Sequence, residues 1–195
     1  MALTKERIVA EALALLDEGG LAGVTFRKLA QRLGVQAPTL YWHVTNKAAL
    51  VTELAEAILE PIELLPIAPG QRWQDWLADL AERLRRALLA HPDGAQVLSA
   101  AQLSRRMAAL SETAMSTLVE SGLSLREARL TVLAVERFTV GHVLEEQAGA
   151  PDAADFDLEA YTARYPTVVR AITEYFEPGR TVDDLFRDTI TVILR

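Results

Sequence analysis

Cysteine is missing from this chain altogether, and that one absence excludes a disulfide framework, a thiolate zinc site and a cysteine nucleophile. A glycine-rich phosphate loop, a G-x-S-x-G turn and a His-x-x-x-His pair are missing too, and the three histidines, His43, His91 and His142, fall on separate segments. An enzyme is therefore the weaker class, and no catalytic residue is assigned. No apolar run reaches the roughly 18 residues that a spanning helix needs, and the opening MALTKERIVAEALALL carries charges among its first seven residues. The expectation is a cytoplasmic protein with neither secretory signal nor membrane span. Strict polar-apolar alternation, the mark of half-buried strands, is almost absent as well.

What the chain does have is hydrophobic material at helical spacing. Half of its 195 residues are hydrophobic, enough for a substantial core and too much for a disordered chain. The fold class read from the periodicity is all-α. Thr4 caps a first helix whose inner face is Ile8, Ala12, Leu15 and Leu16, and Gly19-Gly20 ends it. A second helix follows Thr25 through Phe26, Leu29 and Leu33 and stops at Gly34. After Val35-Gln36-Ala37, Pro38 sits in the first turn of a third helix of roughly six residues, carrying Thr39-Leu40-Tyr41-Trp42-His43. Asn46 caps a fourth helix running from Lys47 to about Leu59.

Three of the eight prolines then fall within 61–69, where they block helix propagation. This stretch is the expected boundary. The organisation read from it is a helix-turn-helix domain over 1–47, a connecting helix over 48–60, a linker over 61–70 and a larger helical domain over 71–195. Helices are expected in that domain at 71–91, 95–101, 104–121, 125–148, 157–176 (interrupted near Pro166) and 181–194, with a looser segment around Pro151.

The formal net charge of −7 argues at first against a nucleic-acid partner. Residues 1–47, however, carry +2 and the remainder −9. A mildly basic head on an acidic body fits a DNA reader in which only the head meets DNA.

Two short helices joined by Gly34-Val35-Gln36-Ala37 have the spacing of a helix-turn-helix, whose second helix enters the major groove. Thr39, Tyr41, Trp42 and His43 crowd a helix too short to bury them all. Arg27, Thr39, Tyr41, His43 and Lys47 have groups that can donate to phosphate oxygens. Gln36 and Arg27 can read base edges, whereas Ala37 and Pro38 offer only apolar contact to a thymine methyl. A Tyr-Trp pair is equally what half-buried helix packing produces, so these residues by themselves leave both readings open.

The segments Thr25-Phe-Arg-Lys-Leu-Ala-Gln-Arg-Leu-Gly34 and Pro38-Thr-Leu-Tyr-Trp-His-Val44, with Asn46-Lys47, closely resemble the DNA-binding part of the tetracycline-repressor (TetR) family. The likeness continues more thinly through Trp73, Arg85-Arg86-Ala-Leu-Leu89, Asp93-Gly94, Gly122-Leu-Ser-Leu-Arg126 and Phe138-Thr139 to Val143-Leu-Glu145. It implies an N-terminal three-helix helix-turn-helix domain followed by a C-terminal ligand-binding and dimerisation domain. It also implies operator contact by Arg27, Gln36, Pro38, Thr39, Tyr41, Trp42, His43 and Lys47. Ala37 departs from the family, which has a glutamine there, and this points to a different operator.

In the tetracycline repressors the drug arrives with magnesium, held by a histidine and, through water, by a glutamate. Glu145 matches that glutamate. An ungapped alignment puts Leu98 where the histidine stands and Leu80, Ala101 and Ala114 where an asparagine, a threonine and a glutamine hold the drug. The resemblance thus implies a ligand domain stripped of its polar groups, with no cofactor and a largely apolar inducer bound by Leu80, Leu84, Leu98, Ala101, Ala114, Met115 and Glu145. His142, Glu145 and Glu146 share one helical face but read as a solvated or ion-paired surface rather than a metal site. The apolar surplus of the last helix, together with the 125–148 helix, suits pairing between two subunits. The function expected is a homodimeric, ligand-responsive repressor on a palindromic operator. An activator of the same fold or a helical protein-binding adaptor are the alternatives.

Overall fold

A computed structural model describes residues 3–101, 103–149, 157–177 and 179–195. Among them are eleven helices and no strand: α1 (Lys5–Gly23), α2 (Phe26–Leu33), α3 (Ala37–Leu40), α4 (Lys47–Leu59), α5 (Trp73–Leu89), α6 (Gly94–Ala100), α7 (Arg105–Glu120), α8 (Leu125–Ala148), α9 (Leu158–Arg164), α10 (Pro166–Phe176) and α11 (Val182–Ile193). The all-α expectation holds. Two compact units are present, Met1–Gln147 and Ala148–Arg195. The segment around Pro151 lies outside the described residues.

In the first unit, Thr4 accepts a hydrogen bond from the Arg7 amide at 3.3 Å and starts α1. Ile8, Ala12, Leu15 and Leu16 are buried at its inner face. The helix breaks at Gly19 and Gly20, whose backbone is non-helical, and a further short turn runs on to Gly23. Thr25 and Asn46 cap α2 and α4 through the amides of Lys28 (3.2 Å) and Ala49 (2.9 Å). Six residues of α4 are buried, from Leu50 to Leu59, because this helix packs on α1 and also on α5, α6 and α7.

The proline-rich stretch is free of helix as expected, yet it is strapped to α5. Ile62 is buried, the Trp76 indole donates to the Leu65 carbonyl at 3.0 Å, and Arg83 donates to the Glu63 carbonyl at 3.0 Å. Prolines remove amide donors but leave carbonyls to be satisfied, and α5 satisfies two of them.

Helix α5 buries Trp76, Leu77, Leu80, Ala81, Leu84 and Leu88, a stripe at helical spacing. Arg85 lies on the same face with its side chain only 4 % exposed, and a two-pronged pair with Glu146 of α8 accounts for it (2.5 and 3.0 Å). Gln147 closes the far end of α8. Its amide donates to the Leu88 and His91 carbonyls and accepts from the Ala95 amide, which serves the end of α5 and the start of α6 together.

In the second unit α11 opens with a full capping box between Thr181 and Asp184. Asp184 is held below the usual carboxylate range, chiefly by the Thr181 backbone amide. Tyr175 and Arg180 both donate to Asp188, at 2.9 and 2.7 Å.

Candidate nucleic-acid interface and effector pocket

Leu29, Ala30 and Leu33 bury one face of α2 and leave Arg27, Lys28, Gln31 and Arg32 on the other. Gly34 follows in the left-handed region at φ 69°, a conformation that costs glycine nothing and turns the chain sharply into α3. Only Ala37–Leu40 is helical there, shorter than the six residues expected. The Leu40 carbonyl accepts from both the His43 and Val44 amides (3.0 and 2.9 Å), so the chain tightens into a turn after Tyr41. Leu40 and Val44 are buried and pin both ends of this turn.

The consequence is a small knob of outward side chains. Tyr41, Trp42 and His43 are exposed, and Gln36, Ala37, Pro38 and Thr39 lead into them with no residue of the four buried. Gln36 occupies the N-cap of α3 without a side-chain capping bond, so its amide is uncommitted there. The Tyr41 ring lies flat on Phe26, centroids 4.7 Å apart and planes 6° apart, which fixes the hydroxyl's direction. Trp42 is 89 % exposed. Leaving an indole in water forgoes roughly 2 kcal/mol of burial, an arrangement expected where a partner covers it.

The cations of the head are not equivalent. Arg32 is engaged by Glu18 at 2.7 Å and Glu11 at 3.2 Å, and its hydrogen bond holds the Glu18 carboxyl below its ordinary range. Lys5 pairs with Glu53. Lys47 donates to the Val24 carbonyl and to that of Leu21 at 3.4 Å, and partial burial pushes its pKa down. Arg27 makes no side-chain hydrogen bond or ion pair among the described residues.

Between α5, α7 and α8 lies an apolar cavity of about 30 Å³, walled by Leu77, Leu80, Ala81, Leu84, Leu110, Ala114, Val132 and Val135. Beside it, between α6, α7 and α8, a groove of about 640 Å³ opens to solvent past Leu98, Ala101 and Leu144. Met107, Ser111 and Glu136 line both spaces. Of the residues expected at the ligand, Leu80, Leu84 and Ala114 line the cavity and Leu98 and Ala101 the groove, while Met115 and Glu145 line neither.

Glu136 was not foreseen. It falls on the inner stripe of α8 that buries Val132, Val135, Thr139 and Val143, and an acidic residue in that phase was the available signal. Burial pushes its carboxyl pKa up, with the Ser111 hydroxyl at 3.5 Å as its hydrogen-bond partner. Among the described residues no three His, Cys, Asp or Glu side chains gather to hold a metal ion. Glu146 is committed to Arg85, which takes one carboxylate out of the His142–Glu145–Glu146 face.

A helix-turn-helix head with an outward aromatic and polar knob, joined to a helical body with an apolar cavity, defines a DNA-binding regulator. The description "Bacterial regulatory proteins, tetR family" matches residues 8–54, and "Tetracyclin repressor-like, C-terminal domain" matches 65–194. The chain is 44 % identical to the tetracycline repressor protein class D of Escherichia coli over 147 residues, 74 % of this chain and 67 % of that one. It is 37 % identical to the class A repressor from transposon 1721, also of Escherichia coli, covering 98 % of this chain and 89 % of that one.

Solved structures agree. Apo ActR from Streptomyces coelicolor superposes with a TM-score of 0.85 at 29 % identity, covering 100 % of this chain and 94 % of that one. A single-residue variant of TetR from Acinetobacter baumannii AYE, in complex with minocycline, gives 0.76 at 32 % identity (99 % and 95 %). BioQ with its natural double-stranded DNA operator gives 0.69 at 30 % identity (75 % and 89 %). This chain belongs to the TetR family: it is a DNA-binding transcriptional repressor with a ligand-binding C-terminal part, and not an enzyme.

Proposed function

We propose that two copies of this chain grip a palindromic operator and let go when a small, largely apolar inducer enters the cavity and groove between α5, α6, α7 and α8. Arg27, Gln36, Ala37, Pro38, Thr39, Tyr41, Trp42, His43 and Lys47 meet the DNA. The observation that carries this is the knob after α3, where Trp42 stands 89 % exposed next to a Tyr41 ring held on Phe26. BioQ, similar in fold, is described on its own operator. In functional terms residues 1–47 read DNA, 48–60 connect, 61–70 link and 71–195 sense and dimerise.

Pairing runs through α8, which leaves Leu125, Leu130 and Leu144 exposed, and through α11, which leaves Val182 and Val192 exposed. Two-fold symmetry then sets the two α3 segments one DNA turn apart, roughly 34 to 36 Å. Magnesium-tetracycline is a poor fit for the sensing site. Leu80, Leu98, Ala101 and Ala114 supply no ligand or hydrogen bond, and Glu145 lies outside both spaces. The inducer acts by its differential affinity for the DNA-competent and DNA-incompetent states.

The test is Trp42→Ala, measured by fluorescence anisotropy on duplexes that the wild-type protein captures from fragmented source DNA. Affinity is expected to fall at least tenfold with helix content unchanged. Unaltered affinity would contradict the assignment of this surface.

A further inference from the structure

The apolar cavity and the open groove meet at one ionisable side chain. Glu136 projects from α8 into the wall common to both. The α5 wall facing it is aliphatic (Leu77, Leu80, Ala81 and Leu84), and α7 contributes Met107 and Ser111. Among the described residues the cations acting on its charge are Arg137 and Arg129 of its own helix; both are exposed, and Arg137 lines the groove side. No cation from α5, α6 or α7 neutralises it among the described residues.

A carboxylate left half-buried without a paired cation is penalised. Consistent with this, burial pushes its pKa up and the hydrogen bond it accepts from Ser111 is long at 3.5 Å. A carboxylate on this largely apolar stripe makes sense at this point where an incoming group supplies the missing donor. A charge-assisted hydrogen bond to a half-buried carboxylate is stronger than the same bond at a fully exposed one.

We propose that the inducer is a cationic amphiphile: an apolar body lies in the groove, and a protonated amine donates to Glu136 where groove and cavity meet, with Ser111 as the second polar anchor. This rests on the reading of these spaces as the sensing site. It adds a specificity-determining residue and a ligand charge that the apolar lining alone does not give.

The probes are n-octylamine, n-octanol and octanoate, which share one apolar chain and differ in head group, titrated calorimetrically into wild-type protein and Glu136→Gln. Wild type is expected to bind octylammonium at least tenfold more tightly than octanol, with octanoate weakest, and in E136Q the preference for the amine over the alcohol should fall below twofold while octanol affinity stays. Equal binding of amine and alcohol by wild type, or a preference that survives in E136Q, would overturn the role of Glu136 and leave the sensing site standing. Binding of none of the three probes would overturn both.

A second measurement does not depend on the variant folding. As pH falls through the raised pKa of Glu136 the carboxylate is neutralised while the amine stays protonated, so the wild-type preference for amine over alcohol must decline on the acid side. A preference flat across that range would overturn the proposal.

Discussion

Lys47 shows how one side chain can serve both fold and function. Its aliphatic stem is partly covered and its ammonium donates to the Leu21 and Val24 carbonyls, which closes the end of α1 onto the start of α2. An ammonium has three donors, and two carbonyls leave one for a phosphate. Lys47→Ala is therefore expected to lower stability by about 1 kcal/mol, the worth of hydrogen bonds lost at a partly exposed site, and to weaken operator binding at least tenfold. Thermal melts and anisotropy separate the two effects. A variant with unchanged melting temperature would remove the structural half of this account.

Residue type and spacing left open whether the side chains around the turn face out or pack inward; Arg27, Gln36 and Tyr41 are exposed, because α3 is too short to bury its polar-tipped groups. The Lys47–carbonyl contact was not legible, because it depends on where a kink at Gly19 and Gly20 leaves two backbone oxygens. The same holds for Met115 and Glu145. An ungapped alignment or a neighbouring number places a residue on the right helix, but the phase of the helix decides whether it faces the cavity.

Helix boundaries were easier to read because they are written in local chemistry. Thr4, Thr25 and Asn46 each cap the helix expected of them, and Pro166 divides α9 from α10. What local chemistry does not contain is the fastening between helices. Glu56 of α4 accepts the Arg105 amide at 2.7 Å and so caps α7 from a distance, and Asp17 meets His91 at 2.7 Å. The turn between α5 and α6 is another such fastening: Asp93 adopts φ 57° and accepts the Leu21 amide at 2.8 Å.

Gly94 sits against that turn so closely that an added Cβ would lie 2.1 Å from the Leu88 carbonyl oxygen, which belongs to backbone and cannot swing aside. Gly94→Ala should cost about 1 to 3 kcal/mol, as overpacking does. It should also loosen the Asp93–Leu21 link between body and head. Chemical denaturation reads the first effect and amide exchange at Leu21 the second. A neutral substitution would mean that the turn is softer than its geometry.

At the scale of the whole molecule, a head of +2 sits on a remainder of −9, so DNA affinity comes from a small surface opposed by the rest of the chain. Binding should fall steeply with salt as phosphate counterions are released. No helix among the described residues is long and apolar enough to cross a membrane. The body's apolar walls predict the response to the family's best-known ligand: magnesium plus tetracycline should move the melting temperature by no more than about 1 °C, since a ligand that does not bind the folded state cannot stabilise it. A rise of several degrees would show that the polar groups missing at Leu80, Leu98, Ala101 and Ala114 are replaced from elsewhere.

In the proposed function this head, in a symmetric pair, reads a specific inverted repeat. Selection of bound sequences from a random duplex pool at moderate salt, with purified ligand-free protein, tests it most directly. The account predicts an enriched palindrome whose half-sites lie about one helical turn apart. It also predicts that the palindrome differs from tetracycline operators where Ala37 replaces the family's glutamine. A folded protein that enriches no sequence, or only an asymmetric single site, would contradict it.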